Sequence, residues 1–343
     1  MKSIDNKLIS VVIQGPVFRN GSGQESGDLL CRAIDSIHQH LPEAEIIIST
    51  WYEQNVAGMD DVHIIQSHEP DPIIDCTGDL NNINRQLRST QLGIQAASRP
   101  YVLKFRADHY LSSAAIAQIA PPTSYSKYRF FPKPITITNC FIRNPLKVPF
   151  LFHLSDLIMF GQKEDLLDIW QQPLVDPAQL VMPEEEQFRI LGNYRSRTSM
   201  RHVPEQSLTL GWLAKRGLSI CLPYCSYTSW PLFALWEQIL IANFHMIDHE
   251  GSGIVFPQRF TRALYGKRTV YNERDLVTVK SAIGNWRHKM RYMELWFNKY
   301  CLAWVRLQFL MSMASHLFFA LSPDIEKKVR YYYRKIKGIN RVA

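Results

Sequence analysis

The chain has 343 residues, 46% of them apolar, and a formal net charge of +8. That length suits one large domain or a domain with an appendage, and the composition excludes fibrous, collagenous and disordered classes. From Asp324 to Ala343 seven cations stand against two acids, so +5 of the +8 sits in the last stretch. This distribution points to an anionic surface for the tail and to no nucleic-acid partner for the body.

Leu8 to Ile13 is a short β-branched run that predicts a buried parallel strand, closed by the turn Gln14-Gly15-Pro16. Leu30, Ala33, Ile34, Ile37 and Leu41 have helical spacing, and Pro42 ends that helix. Ala44 to Thr50 predicts a second buried strand, ending at Trp51, and His63 to Ile65 a third. Asn81 to Ala97 predicts a helix whose first turns are crowded with Asn81, Asn82, Asn84, Arg85 and Gln86. Tyr101-Val102-Leu103 opens a further strand, and Lys104, Arg106 and Asp108 follow at every second position, on one face, with His109 behind them. Phe130 to Asn139 and Leu154 to Gly161 read as strands, Glu164 to Trp170 as a helix, Pro183 with Glu184 to Glu186 as a solvated helix start, Pro204 to Arg216 as a helix and Ser219 to Pro223 as a strand. From Tyr227 onward the pattern is aromatic and helical. Strands alternating with helices predict an α/β fold of Rossmann type, a mostly parallel sheet flanked by helices. In such sheets ligands bind beyond the carboxyl ends of the strands, where Gln14, Trp51 and Arg106 to Asp108 all fall.

The N-terminus lacks the long apolar run of a signal peptide, and no stretch of about 20 uncharged apolar residues predicts a spanning helix. The six scattered cysteines form no zinc-spaced set and read as thiols in a reducing compartment. Cys301 to Leu321 is strongly apolar but interrupted by Arg306, Gln308 and His316, and a basic segment follows Pro323. One reading is a packed helix with a solvated end. The other is a segment lying on an anionic bilayer, its basic residues at the headgroups and Tyr331 to Tyr333 in the interface.

Taken together, IQGPV (13–17), AEIIISTW (44–51), NNINRQLRSTQLGI (81–94), YVLKFRADH (101–109), LSDLIMFG (154–161) and VPEQ (203–206) resemble the WavE family of lipopolysaccharide synthesis. The resemblance spans roughly residues 8 to 260. It implies a GT-A-like glycosyltransferase domain over 1–260 and leaves 261–343 as a helical, basic C-terminal extension. It further implies a nucleotide-sugar donor, a lipopolysaccharide-core, lipid-linked or other oligosaccharide acceptor, and a cytoplasmic protein peripheral on the inner face of a bacterial inner membrane.

GT-A enzymes usually carry two acids at the end of a central strand, holding a divalent cation on the donor diphosphate; here that place reads Arg106-Ala107-Asp108-His109. Asp108 is the candidate ligand for Mg²⁺ or Mn²⁺. Alternatively Lys104 and Arg106 neutralise the diphosphate directly, or Arg106 and Asp108 form an internal ion pair. Gln14, Gly15 and Pro16 are placed beside base and ribose, Trp51 under the base, and Asn82, Arg85 and Gln86 at a donor-rich helix start. Asp156 and Glu205 are the candidate bases for the acceptor hydroxyl, and strand alternation would put His153 and Ser155 on the face opposite Asp156. Two rivals are a sugar nucleotidyltransferase and a non-catalytic protein that binds glycans or membranes. The glycine-rich loop that the first needs has only Gly21-Ser22-Gly23 as a candidate.

Overall fold

The computed structural model of the chain describes residues 2–17, 29–59, 61–75, 80–122, 127–183, 200–261 and 268–336. Seven strands form the central sheet: β1 (Ile9–Gln14), β2 (Glu45–Trp51), β3 (His63–Ser67), β4 (Tyr101–Arg106), β5 (Ile135–Thr138), β6 (Met159–Gln162) and β7 (Phe244–Ile247). Their order across the sheet is β7-β5-β6-β4-β1-β2-β3. All neighbours run parallel except β6, which is antiparallel to both β4 and β5. The α/β class with a mostly parallel sheet is therefore present, and β1, β2, β4, β5 and β7 end at the same edge.

The runs that predicted strands do so because both sheet faces are covered. Val12, Ile47 and Val102 face one core, which they share with the helices α2 (Ile83–Ala96), α3 (Lys163–Trp170), α4 (Pro204–Lys215) and α5 (Trp230–Asn243). Val11, Ile13, Ile48 and Leu103 alternate to a second core under the helix α1 (Leu29–His40). Gly93 of α2 sits so close to β1 that an added Cβ would meet the Val12 side chain at 2.5 Å, so glycine sets the depth of that helix.

Several elements differ from the sequence reading. Only Ile135–Thr138 of the 130–139 run is strand, because Pro132 and Pro134 cannot donate to a ladder. Residues 154–158 are irregular and the strand begins at Met159, so the alternation expected for His153, Ser155 and Asp156 does not apply. Ser219 to Pro223 is coil. Phe244–Ile247, in the stretch read as helical, is the edge strand β7. The helix start at Pro183 to Glu186 lies, apart from its proline, outside the described residues.

Four helices close the described chain: α6 (Glu273–Ala282), α7 (Trp286–Tyr300), α8 (Leu307–Leu321) and α9 (Pro323–Ile336). The apolar run 301–321 is not one helix. A 3₁₀ turn at Leu302–Val305 leads to an extended Arg306, whose Nη1 donates to the Lys147 carbonyl at 2.7 Å. Leu276, Val279, Ile283 and Leu295 are buried in the same core as α2 to α5, so the main core continues past residue 260. Among the described residues no helix is long and apolar enough to cross a membrane.

Candidate functional site

The carboxyl edge of the sheet is built outward from β1 and β4. Gln14 and Arg106 are register partners at the ends of these strands. The Gln14 carbonyl accepts from Ala107 N at 3.1 Å, and its side chain accepts from Ser89 Oγ of α2 at 2.9 Å. Gln14 thus fastens the strand end to α2. Gly15 follows with φ +118°, a conformation that favours glycine, and among the described residues nothing lies within 4 Å of where a Cβ would stand. Pro16 beside it is exposed.

Lys104 is fully buried on β4. Its ammonium lies 4.6 Å from the Trp170 ring centroid and donates to the backbone carbonyls of Asp156 and, at 3.4 Å, Leu157. Burial pulls its pKa down to about 7. This lysine pins the irregular segment ahead of β6 and is not turned toward a diphosphate. Arg106, two residues on, keeps about a third of its side chain exposed, at 31%. It grips Asp108 with two hydrogen bonds, Nε to Oδ1 at 3.1 Å and Nη2 to Oδ2 at 3.2 Å. His109 Nδ1 also meets Asp108 Oδ1, at 2.7 Å, with the ring packed against Phe256 and Phe260. Burial opposes the Asp108 charge, but the hydrogen bond from His109 and the Arg106 guanidinium hold its carboxyl well below the usual range.

The donor set therefore does not fit a divalent cation. Asp108 has a side chain 1% exposed and both oxygens engaged. Among the described residues no three His, Cys, Asp or Glu side chains converge as ligands. The internal ion pair, one of the three readings open for this motif, is the arrangement present.

The helix start at 81–86 also resolves into mostly internal roles. Asn81 Oδ1 accepts from Ile83 N at 3.0 Å. Asn84 exchanges two hydrogen bonds with the backbone of Val175. Arg85 donates to the Pro70 carbonyl and pairs with Glu69 at 3.1 Å. Asn82 is exposed and makes no capping bond with its side chain, and Gln86 reaches across to Asp156. Of the three residues placed here from sequence, Asn82 and Gln86 face the edge while Arg85 is committed elsewhere. Trp51 is 2% exposed and offers no free ring face to a base.

Asp156 and Glu205 come from different elements, and the charge of each is felt at Arg106. Asp156 lies in the 154–158 segment, which follows Phe152, a buried residue with φ +55°. A non-glycine residue held there marks a backbone over-determined by its surroundings. Here Gln206 holds the Leu151 and Cys225 carbonyls at 2.8 Å each, and Lys104 holds 156 and 157. Glu205 sits in the first turn of α4, after Pro204, with His153 Nε2 at 3.7 Å from its Oε2. Burial raises the Asp156 carboxyl above its ordinary range, and the negative charge of Glu205 raises it further; Lys104, Arg106 and Gln86 pull the other way. For Arg106, burial works against the charge, but Asp108, Asp156 and Glu205 together raise its pKa. One guanidinium thus bonds one carboxylate and feels the charge of two more at the carboxyl edge of the sheet. A carboxyl raised above its ordinary range near a part-exposed guanidinium is equipped to take a proton from a hydroxyl and to hold an anionic leaving group.

The same edge carries residues not singled out from the sequence. Asn139, at the end of β5, donates to Asp248 Oδ1 at 2.8 Å and accepts from His249 N at 2.8 Å. Cys140 lies near enough to Asp156 to feel its charge. Asp248 and His249 follow β7, and recognising β7 was the signal required to find them.

A family model described as WavE lipopolysaccharide synthesis matches residues 9–327, and the chain belongs to that family. No curated protein matches the chain significantly. Among solved structures it is similar to the mannosyltransferase PcManGT from Pyrobaculum calidifontis in complex with GDP-Man and Mn²⁺, at 10% identity and a TM-score of 0.33, covering 92% of this chain and 88% of that one. It is similar to S. aureus TarS 1–349 at 9% identity and a TM-score of 0.28, covering 95% and 91%. A nucleoside-diphosphate-sugar pyrophosphorylase from Vibrio cholerae matches at 12% identity and 0.33, covering 74% and 98%.

Proposed function

We propose that this WavE-family protein is a GT-A-like glycosyltransferase that moves a sugar from a nucleotide-sugar donor to a lipopolysaccharide-core or related surface-glycan hydroxyl. The observation that supports this most is the Arg106–Asp108 pair at the carboxyl edge of the parallel sheet, with the segment of Asp156 held beside it by Gln86 and Lys104 and the charges of Asp156 and Glu205 felt at Arg106. Arg106 holds the donor diphosphate through its exposed part while Nε and Nη2 stay on Asp108. Asp156 accepts the proton of the attacking hydroxyl, and Gln86 and Lys104 fix the segment that carries it. Asn82 and the Gly15-Pro16 turn border the space left for the nucleoside. No step in this scheme runs through a divalent cation, since Asp108 is held by Arg106 and His109.

The test is release of nucleoside diphosphate from a panel of nucleotide sugars, with and without a deacylated lipopolysaccharide acceptor. Wild-type protein is expected to release diphosphate from one donor, faster with acceptor present. Arg106→Met is expected to lower kcat/KM about 10²-fold or more. Pyrophosphate-dependent turnover of a sugar nucleotide would instead make the protein a nucleotidyltransferase. Failure to bind any nucleotide sugar would make it a non-catalytic glycan binder.

A further inference from the structure

Helix α7 packs Leu295 and Tyr292 inward and carries a second apolar stripe outward. A surface helix normally turns its apolar stripe toward the core and its polar face to water. In α7 the residues facing the domain include His288, which meets the buried Glu237 at 3.1 Å, Arg291, which bonds the same carboxylate, and Lys299, which donates to the Ser226 carbonyl and Thr228. The outward face carries Trp286, Met290, Met293, Phe297 and Tyr300, at helical positions i, i+4, i+7, i+11 and i+14, with Trp296 at its flank. Trp286 is 70% exposed and Phe297 50%. The surface continues through Trp304 and Val305 into α8, where Leu307, Met311 and Phe318 are exposed. Lys289 stands within the arc of the stripe and Arg287 at its edge, both exposed.

We infer that this outer face of α7, with the turn after it, is an in-plane docking surface for the interfacial layer of a bilayer containing anionic lipid. Tryptophan and tyrosine with lysine or arginine among apolar side chains are the residue types that sit at the headgroup level. The charge is complementary: Lys289 lies on the face, Arg287 and the acidic Glu294 offset each other at its edge, and the following segment from Asp324 carries a net +5. An apolar surface of this extent is unusual on a monomer that stays in water. The inference places the contact on α7, beyond the basic tail, and does not depend on the nucleotide-sugar reading.

Flotation of the purified full-length chain with phosphatidylethanolamine vesicles, with or without phosphatidylglycerol, tests it. Binding is expected only where phosphatidylglycerol is present, and weaker at high salt. Met293→Ser with Phe297→Ser is expected to weaken partitioning at least about tenfold. Lys289→Glu should weaken binding to the anionic vesicles. These side chains are exposed, so thermal melting and donor hydrolysis should be unchanged, which separates lost docking from lost folding or lost activity. The inference is overturned if the wild-type chain does not float, or if the double variant floats as the wild type does. It is equally overturned if light scattering shows a dimer that the double variant splits while flotation stays the same, since the stripe would then join two copies of this chain.

Discussion

Two clusters of buried charge in this molecule look alike in composition and differ in purpose. In the first, Glu237 of α5 is fully enclosed, and each of its oxygens is met twice. Tyr271 Oη and Arg291 Nη2 donate to Oε1 at 3.2 and 2.7 Å; Arg291 Nε donates to Oε2 at 3.3 Å, with His288 Nε2 3.1 Å from that oxygen. Every charge has its opposite, and the cluster ties α5 to α7. In the second, at the carboxyl edge of the sheet, Arg106 is already gripped by Asp108 when Asp156 and Glu205 approach it. Lys104 offsets part of the excess through its charge while its ammonium bonds backbone carbonyls. A buried carboxylate met on all sides fastens helices together. Carboxylates crowded around one part-exposed guanidinium at a sheet edge, one of them pushed above its ordinary pKa, are placed to take up a proton and to invite a ligand.

The contrast can be broken by substitution. The largest effect expected is that of Asp156→Asn, which should lower kcat by about 10²–10⁴-fold with unchanged melting, because the backbone carbonyl that Lys104 holds is retained. Wild-type turnover in that variant would remove Asp156 from the chemistry. Next in size is Glu237→Ala, which strands Arg291 and Tyr271 in the core and should cost about 3–5 kcal/mol of stability in a denaturant titration. Turnover per folded molecule should stay the same; a selective loss of turnover would mean that the first cluster is not merely a fastening. The smallest effect sharpens the second cluster. The charge of Glu205 raises the Asp156 pKa, so Glu205→Gln should lower it. A base works above its pKa, and the acid limb of the pH–rate profile should therefore move to lower pH. A dead Glu205→Gln enzyme would assign the base to Glu205, and an unmoved limb would deny the coupling.

The central strands were legible because β1, β2 and β4 are continuous β-branched or apolar runs that only a doubly covered sheet accommodates. β7 was not, because its four residues follow directly on the apolar helix α5 with no turn residue between them. Within the candidate site, the Arg106–Asp108 pair is one of three readings that the spacing allows; the strand ends at Arg106 and a turn at 107–108, not strand alternation, brings Asp108 to it. The roles of Lys104, Asn84 and Arg85 were not legible, because their partners at 156–157, 175 and 69–70 are brought to them by tertiary packing. Each was a polar side chain whose need for a partner was visible and whose partner was not. For α7 the periodicity of the stripe was present in the sequence, but a period carries no sign: it cannot say which side of the helix meets the domain.

The Arg306 bond to the Lys147 carbonyl joins two parts that would otherwise be treated separately. Asn298 makes a similar bond to the Leu146 carbonyl at 3.1 Å. Residues 146 and 147 belong to the same irregular stretch between β5 and β6 that reaches Asp156. The C-terminal helices are therefore not a detachable tether. A shortened chain ending before α7 would lose the bonds that hold the 146–147 carbonyls along with the outward apolar stripe, so an inactive truncation would not separate the two. By the same tie, seating α7 against another phase would stiffen the stretch that positions the base, so turnover measured in free solution and at a surface need not be the same quantity.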